Sequence, residues 1–491
     1  MSKIKKIDIA KILMGLGVWL RGRGLATASI WYDEAYSINL AQKPILAIPA
    51  IASADFNPPL NEILIKPLST LSGPLWASRI PSLLASIASL WIIWLIMNEL
   101  EADDNQRIWV AALTLLPINF WMAQDARIYS VMGMLYMLAV LLLIRGQWLG
   151  LMAAAGLMLY GHSLGLVFAC SLPLIAWAYH RLQDRPIRET IKAAGSTAAG
   201  LALGIPGILP LLMGDVGLDD HWVPVPLHLN YLERSWAQSL FAGTAYQLGL
   251  LGDVIYLFLY FYVLIGLMIT LDQIDWPAPP AWLQWNGWPE DDGEPDLMIL
   301  FGALVFWIPL LAMIAGSLLI HNVLYYRPLT LLALPLALWL GSAAAPLEIR
   351  PAKMIMPGLM ALGLLATILT WDPAIKGGDL ERAAEMIESQ PGQILYATGT
   401  AALPFDLYID RKGFIAEDDN HAGLLQPRLQ AEFGWEQRAP GSWAEWLVWP
   451  QDELISPELW ADLEIMTESM ELVGVVDYWQ AAEIEIWRQK Q

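Results

Sequence analysis

Two short passages gather residue types able to move protons or hold ions. They are W-Y-D-E-A-Y-S, Trp31 to Ser37, and D-F-N-P-P-L, Asp55 to Leu60. A third, Q-D-A-R-I-Y-S, runs from Gln124 to Ser130, and His162, Asp219, Asp220, His221 and Arg327 stand apart from them. Carboxylates and imidazoles in hydrogen-bond reach of a hydroxyl can take its proton. A guanidinium can hold two oxygens of an anion at once. Asp33, Glu34, Asp55 and His162 could also ligate a divalent metal, although no spacing among them selects one. Plainer roles stay open. Asp33 can be the N-cap of a helix running from Glu34, and Asn57-Pro58 a helix start. Asp125 and Arg127 can pair at the water line. His162 and His221 can be interfacial polar residues.

The elements that carry these passages follow from composition. Of 491 residues, 56% are hydrophobic and 15% charged, against roughly 25% charged in soluble domains. So little charge cannot solvate several soluble domains, and it excludes disorder. The single cysteine, Cys170, excludes an intramolecular disulfide framework and a cysteine-rich zinc module. A net charge of −20 argues against a nucleic-acid partner. The acidity is concentrated: residues 372–491 hold 23 Asp and Glu against 8 Lys and Arg. The chain therefore divides into an almost neutral membrane part, 1–371, and a soluble acidic part, 372–491. No cleaved signal is expected behind Lys3, Lys5 and Lys6.

Apolar runs suited to a roughly 30 Å core recur through residue 371. Spans are expected near 6–20, 79–98, 108–123, 130–144, 148–161, 164–180, 191–213, 251–271, 297–320, 328–345 and 354–371. Lys11 interrupts the first and is expected to snorkel. With the N-terminus inside, the cytoplasmic loops collect Arg107, Arg145, Arg181, Arg185, Arg188, Lys192, Arg350 and Lys353. The opposite short loops offer mainly Arg127, Arg234 and Arg327, beside a large first outer loop, 21–78. This parity places residues 372–491 extracytoplasmic, and the multi-pass chain is expected in the plasma (inner) membrane. Loop 272–296 fits least, carrying Asp291, Asp292, Glu294 and Asp296 with no Lys or Arg. In the soluble part a helix over 378–390 and strands at 393–397, 472–479 and 483–489 predict a small α/β layer.

The spans carry almost no ionisable group at mid-depth, which a transporter or flippase would need along its path. The polar residues gather at one mouth of the bundle instead. That suits an enzyme at the membrane surface better than a pore. The remaining rival is a non-catalytic cell-envelope assembly protein in which the loop carboxylates are only caps.

Order and spacing add to this. WYDEAYS, FNPPL, Arg79-Ile80-Pro81-Ser82 and Gln124 to Ser130 follow one another in that sequence. The arrangement resembles the bacterial C-type membrane glycosyltransferases (GT-C), near the protein O-mannosyltransferase and lipid A aminoarabinose transferase relatives. It covers roughly residues 5–371. Three departures stand out. The first span is short, Asp125 stands where Glu is frequent, and Tyr325 to Pro328 reads Y-Y-R-P.

The resemblance implies a multi-pass α-helical GT-C-like fold of about eleven helices with a C-terminal extracytoplasmic α/β domain. It also implies transfer of a sugar from a polyprenyl-phosphate donor to an acceptor hydroxyl on a protein, lipid or glycan. Such a reaction needs a base for the hydroxyl and fixed cations, or a metal, for the departing phosphate. Asp33 is then the candidate base and Glu34 a supporting carboxylate or metal ligand. Arg127, Arg327 and Tyr129 are candidates for the lipid phosphate, with Asp55, Asn57, Asp125, His162 and His221 in support. Single displacement inverts the anomeric carbon.

Overall fold

The computed structural model describes residues 8–27, 30–54, 58–69, 75–213, 250–274, 296–319 and 329–345. Beyond these it describes 380–389, 391–397, 402, 404–405, 407–409, 413–416, 436–438, 444, 446–450, 457–477 and 483–490. The expected span at 354–371 and the domain boundary at 371 lie outside them.

Helix α1 (Ile9–Gly22) starts at Asp8, whose side chain accepts from Lys11 N at 3.2 Å. Lys11 Nζ pairs with Asp8 at 2.8 Å and sits 5.5 Å above the Trp94 ring, satisfied at the helix end. The first outer loop folds into α2 (Tyr32–Gln42), α3 (Ile48–Ala54), α4 (Leu60–Ser69) and a 3-10 turn, Leu75–Arg79. Then come α5 (Ile80–Glu99), α6 (Asp104–Leu113), α7 (Pro117–Ala123), α8 (Tyr129–Ile144), α9 (Trp148–Gly161), α10 (Gly165–Leu182) and α11 (Ile187–Met213). After these follow α12 (Leu250–Asp272), α13 (Leu297–Leu319) and α14 (Ala333–Ala344).

The expected span at 108–123 is not one helix. Pro117 cannot donate to the preceding turn and holds Leu116 extended (ψ 137°), so the run splits into α6 and α7. Among the described residues, three helical stretches are long and apolar enough to cross a membrane: Leu75–Glu99, Gly165–Leu182 and Leu297–Leu319. Helix α14 is buried on every face, as an apolar helix at a bundle centre must be. Its Trp339 stacks on Phe306 at 5.1 Å and donates its indole N–H to Thr270 Oγ1 at 2.9 Å. The expected soluble helix and strands form, within a larger sheet.

The C-terminal part is a mixed six-stranded sheet with helices on both faces. Its strands are β1 (Ile394–Tyr396), β2 (Phe414–Ala416), β3 (Glu436–Arg438), β4 (Trp446–Pro450), β5 (Met470–Asp477) and β6 (Glu483–Gln489). Their order is β3-β2-β1-β4-β6-β5, with β6 antiparallel to both neighbours and the other pairs parallel. Helix α15 (Leu380–Glu388) covers one face and α16 (Pro457–Glu468) the other. Alternate side chains of each strand serve the two faces. The α15 face also receives the first outer loop. Ile30, Ala35, Tyr36, Ile38, Leu40 and Ile48 share its core with Leu380, Ile387 and Phe405. Helix α2 is thus wedged between the C-terminal sheet and the helical bundle.

Glycines let helices α9 and α11 approach closely. Within G-L-A-L-G, Gly200 to Gly204, the spacing of four puts both residues on one face of α11. A Cβ on Gly204 would stand 2.8 Å from Gly156 O and from Leu159 Cβ. Gly195, nine residues earlier on α11, has nothing within 4 Å of such a Cβ. Gly204→Val should therefore force α9 and α11 apart and destabilise by about 1–3 kcal/mol. Gly195→Ala should be neutral or stabilising. Thermal unfolding in detergent checks both.

Candidate active site

The site is built at the start of α2. Trp31 is its N-cap residue and makes no side-chain capping bond, so Asp33 is not the cap but lies in the first helical turn. There a carboxylate faces the positive end of the helix dipole. Asp33 is half-buried and Glu34 wholly buried. Successive helical residues point about 100° apart, which sends the two neighbours to different surroundings.

Glu34 is tied to Arg79, and neither has exposed surface. Arg79 Nε donates to Oε1 and Nη2 to Oε2, each at 2.7 Å. Oε1 also accepts from Ala126 N at 2.7 Å, and Arg79 Nη1 donates to Leu25 O at 2.9 Å. Two parallel bonds to one carboxylate form the strong fork geometry of arginine. Both oxygens of Glu34 are thus engaged in tying three chain segments together.

The other contacts repeat this pattern. Trp31 Nε1 donates to Asp125 Oδ1 at 3.0 Å, so the buried Asp125 receives an indole from the first passage. Arg127 Nη1 reaches Ser37 Oγ at 2.9 Å and Asp33 O at 3.3 Å. Ser82 Oγ donates to Arg127 O at 2.9 Å, and Asn61 Nδ2 to Ala126 O at 3.0 Å. Gln124 Nε2 donates to Leu20 O at 3.2 Å and Arg23 O at 2.5 Å, holding the open end of α1. Three of the four motifs singled out in the sequence, together with Asn61 just past the fourth, therefore meet at one polar knot.

Glu62, two residues beyond the P-P-L motif, was not among the expected site residues. It is buried, accepts from Ser37 Oγ at 3.0 Å and from Asn61 Nδ2 at 3.3 Å, and feels the charge of Arg127. Burial pushes its carboxyl up, while Arg127 pulls it down. An acidic residue in a helix's first turn is ordinary, so nothing in the sequence set it apart. Ser37 had one signal, its four-residue spacing from Asp33 along α2.

Tyr129 and His162 lie side by side, ring centroids 5.9 Å apart. Leu164 N donates to His162 Nδ1 at 3.1 Å, so that nitrogen is the acceptor and Nε2 carries the proton of the neutral ring. Burial, with the charge of Arg127 adding, holds this imidazole down to about 4. Asp55, Asn57, Asp219, Asp220, His221 and Arg327 lie outside the described residues. Among the described residues no three His, Cys, Asp or Glu side chains gather as a metal site.

No protein-family model matches the chain, and no curated protein matches it in sequence. Among solved structures it is similar to ArnT from Cupriavidus metallidurans bound to undecaprenyl phosphate. The TM-score is 0.55 and the identity 12%, covering 97% of both chains. The apo state of the same protein aligns over 97% of both chains at 12% identity with a TM-score of 0.44. The likeness to the bound form shows the fold, which this chain shares with that structure along nearly its whole length.

Because both members of the Glu34–Arg79 pair are buried, removing one charge strands the other. Glu34→Gln should destabilise the protein by about 3–5 kcal/mol. Thermal unfolding in detergent measures the loss. An unchanged melting temperature would mean the pair is dispensable.

Proposed function

We propose that the chain is a membrane glycosyltransferase, moving a sugar from a polyprenyl-phosphate donor to an acceptor hydroxyl at the extracytoplasmic face. The observation that carries this reading is the junction of α2 with the Arg127 loop. There the half-buried Asp33 and an arginine fork meet, Arg127 Nη1 lying 3.3 Å from Asp33 O. The solved structure of like fold holds undecaprenyl phosphate, which favours a lipid-phosphate donor here too.

In the reaction, the acceptor oxygen attacks the anomeric carbon on the face opposite the phosphate. Its proton passes to the Asp33 carboxylate, and the bond from carbon to phosphate oxygen breaks. The lipid phosphate leaves with the electron pair, and the anomeric configuration inverts. Arg127, with Arg327 and Tyr129, stabilises the charge gathering on that phosphate. Asp55, Asn57, Asp125, His162 and His221 complete the surroundings. Glu34 contributes through position, since its fork to Arg79 fixes the turn that carries Asp33. His162, neutral near pH 7, can donate a hydrogen bond from Nε2 there without adding charge. The acidic C-terminal domain lies on the same extracytoplasmic side, against the loop that bears the site.

Asp33→Asn tests the assignment. It keeps the size of the side chain and removes its capacity to accept a proton. Loss of a general base lowers rates by roughly 10²–10⁴-fold. The variant should fold and melt like the parent while its release of lipid phosphate from a matched donor and acceptor falls by that factor. Transfer at the parent rate would remove Asp33 from the chemistry.

A further inference from the structure

Glu62 is a buried carboxylate that the proposed reaction does not use. Its relative exposure is 1%, and among the described residues its Oε2 has no hydrogen-bond partner. A carboxylate carried out of water needs a compensating charge. Burial, the larger effect, raises its carboxyl, and Arg127 supplies the charge that opposes this.

The link between them is directional. Arg127 Nη1 donates to Ser37 Oγ at 2.9 Å, and Ser37 Oγ donates to Glu62 Oε1 at 3.0 Å. A hydroxyl has one proton. Committing it to Glu62 turns the serine lone pairs toward Arg127, so the carboxylate decides that Ser37 receives the guanidinium. The three residues come from α2, α4 and the loop before α8, and each is at most 9% exposed. A chain running from cation through hydroxyl to anion also polarises each of its bonds.

We propose that Glu62 is a positioning residue for Arg127, acting through the Ser37 hydroxyl to hold the guanidinium beside Asp33 in the orientation that takes a lipid phosphate. This rests on the reading of Arg127 as a phosphate-binding group. Glu62→Gln preserves shape and can still accept from Ser37, so it removes chiefly the charge. Ser37→Ala removes the relay oxygen and leaves both charges in place.

The test is a double-mutant cycle read by binding of undecaprenyl phosphate to the full chain in detergent. Arg127→Gln should weaken binding at least tenfold. Glu62→Gln and Ser37→Ala should each weaken it several-fold, with similar melting temperatures. Glu62→Gln added to Arg127→Gln should cost nothing further, because the two act as one unit. Parent-like binding by Glu62→Gln, or full additivity in the double variant, overturns the positioning role while leaving the phosphate reading intact. Parent-like binding by Arg127→Gln removes the phosphate reading, and the positioning role falls with it. If Glu62→Gln does not fold, Ser37→Ala with Arg127→Gln carries the same cycle.

Discussion

Two charged side chains with no exposed surface, Glu34 and Arg79, face each other through two 2.7 Å bonds at the junction of α2 and α5. Taking both charges out of water is tolerable only if the remaining hydrogen-bonding capacity is met. Ala126 N and Leu25 O meet part of it, so the pair constrains two loops as well as two helices. The entry angle of α2 follows. Asp33 and Ser37, four residues apart on that helix, then lie beside Arg127. A loop otherwise free to wander is fixed within hydrogen-bond precision at the mouth of the bundle.

The C-terminal sheet secures the same helix from the far side. Tyr408 Oη accepts from Ile30 N at 2.8 Å, just ahead of α2, and the apolar residues of α2 complete a core begun by α15 and the sheet. At the other end, Lys66 Nζ donates to Ala41 O at 3.0 Å and Lys43 O at 2.6 Å, satisfying carbonyls that the helix leaves open. Helix α2 is therefore clamped at both ends and along two sides. Such rigidity suits a group that must meet a reacting atom to within a fraction of an ångström.

What could be read from the amino acids alone follows the physics of each signal. Composition sets an apolar, helical part apart from an acidic C-terminal part because bilayer and water demand opposite surfaces, and the helices and the sheet fall on those two sides. The four motifs were visible as ordered polar words in apolar text, and the passages at 31–37, 79–82 and 124–130 do converge. Their division of labour was not visible. Asp33 and Glu34 are neighbours in sequence, yet helical rotation turns one to the mouth and buries the other on Arg79. Glu62 looked like any first-turn acid. The run at 108–123 read as continuous because average hydropathy ignores the backbone constraint of Pro117. Strands β2 and β3, three residues each, are too short for alternation to register.

The most direct measurement of the central claim uses the purified full-length protein in lipid vesicles with a panel of polyprenyl-phosphate sugars and candidate hydroxyl acceptors. Free polyprenyl phosphate and the anomeric configuration of the product are both followed. The account predicts that one donor class is consumed, with one lipid phosphate released per sugar transferred and the configuration inverted. No release from any donor across the panel, or transfer with the configuration retained, would contradict it.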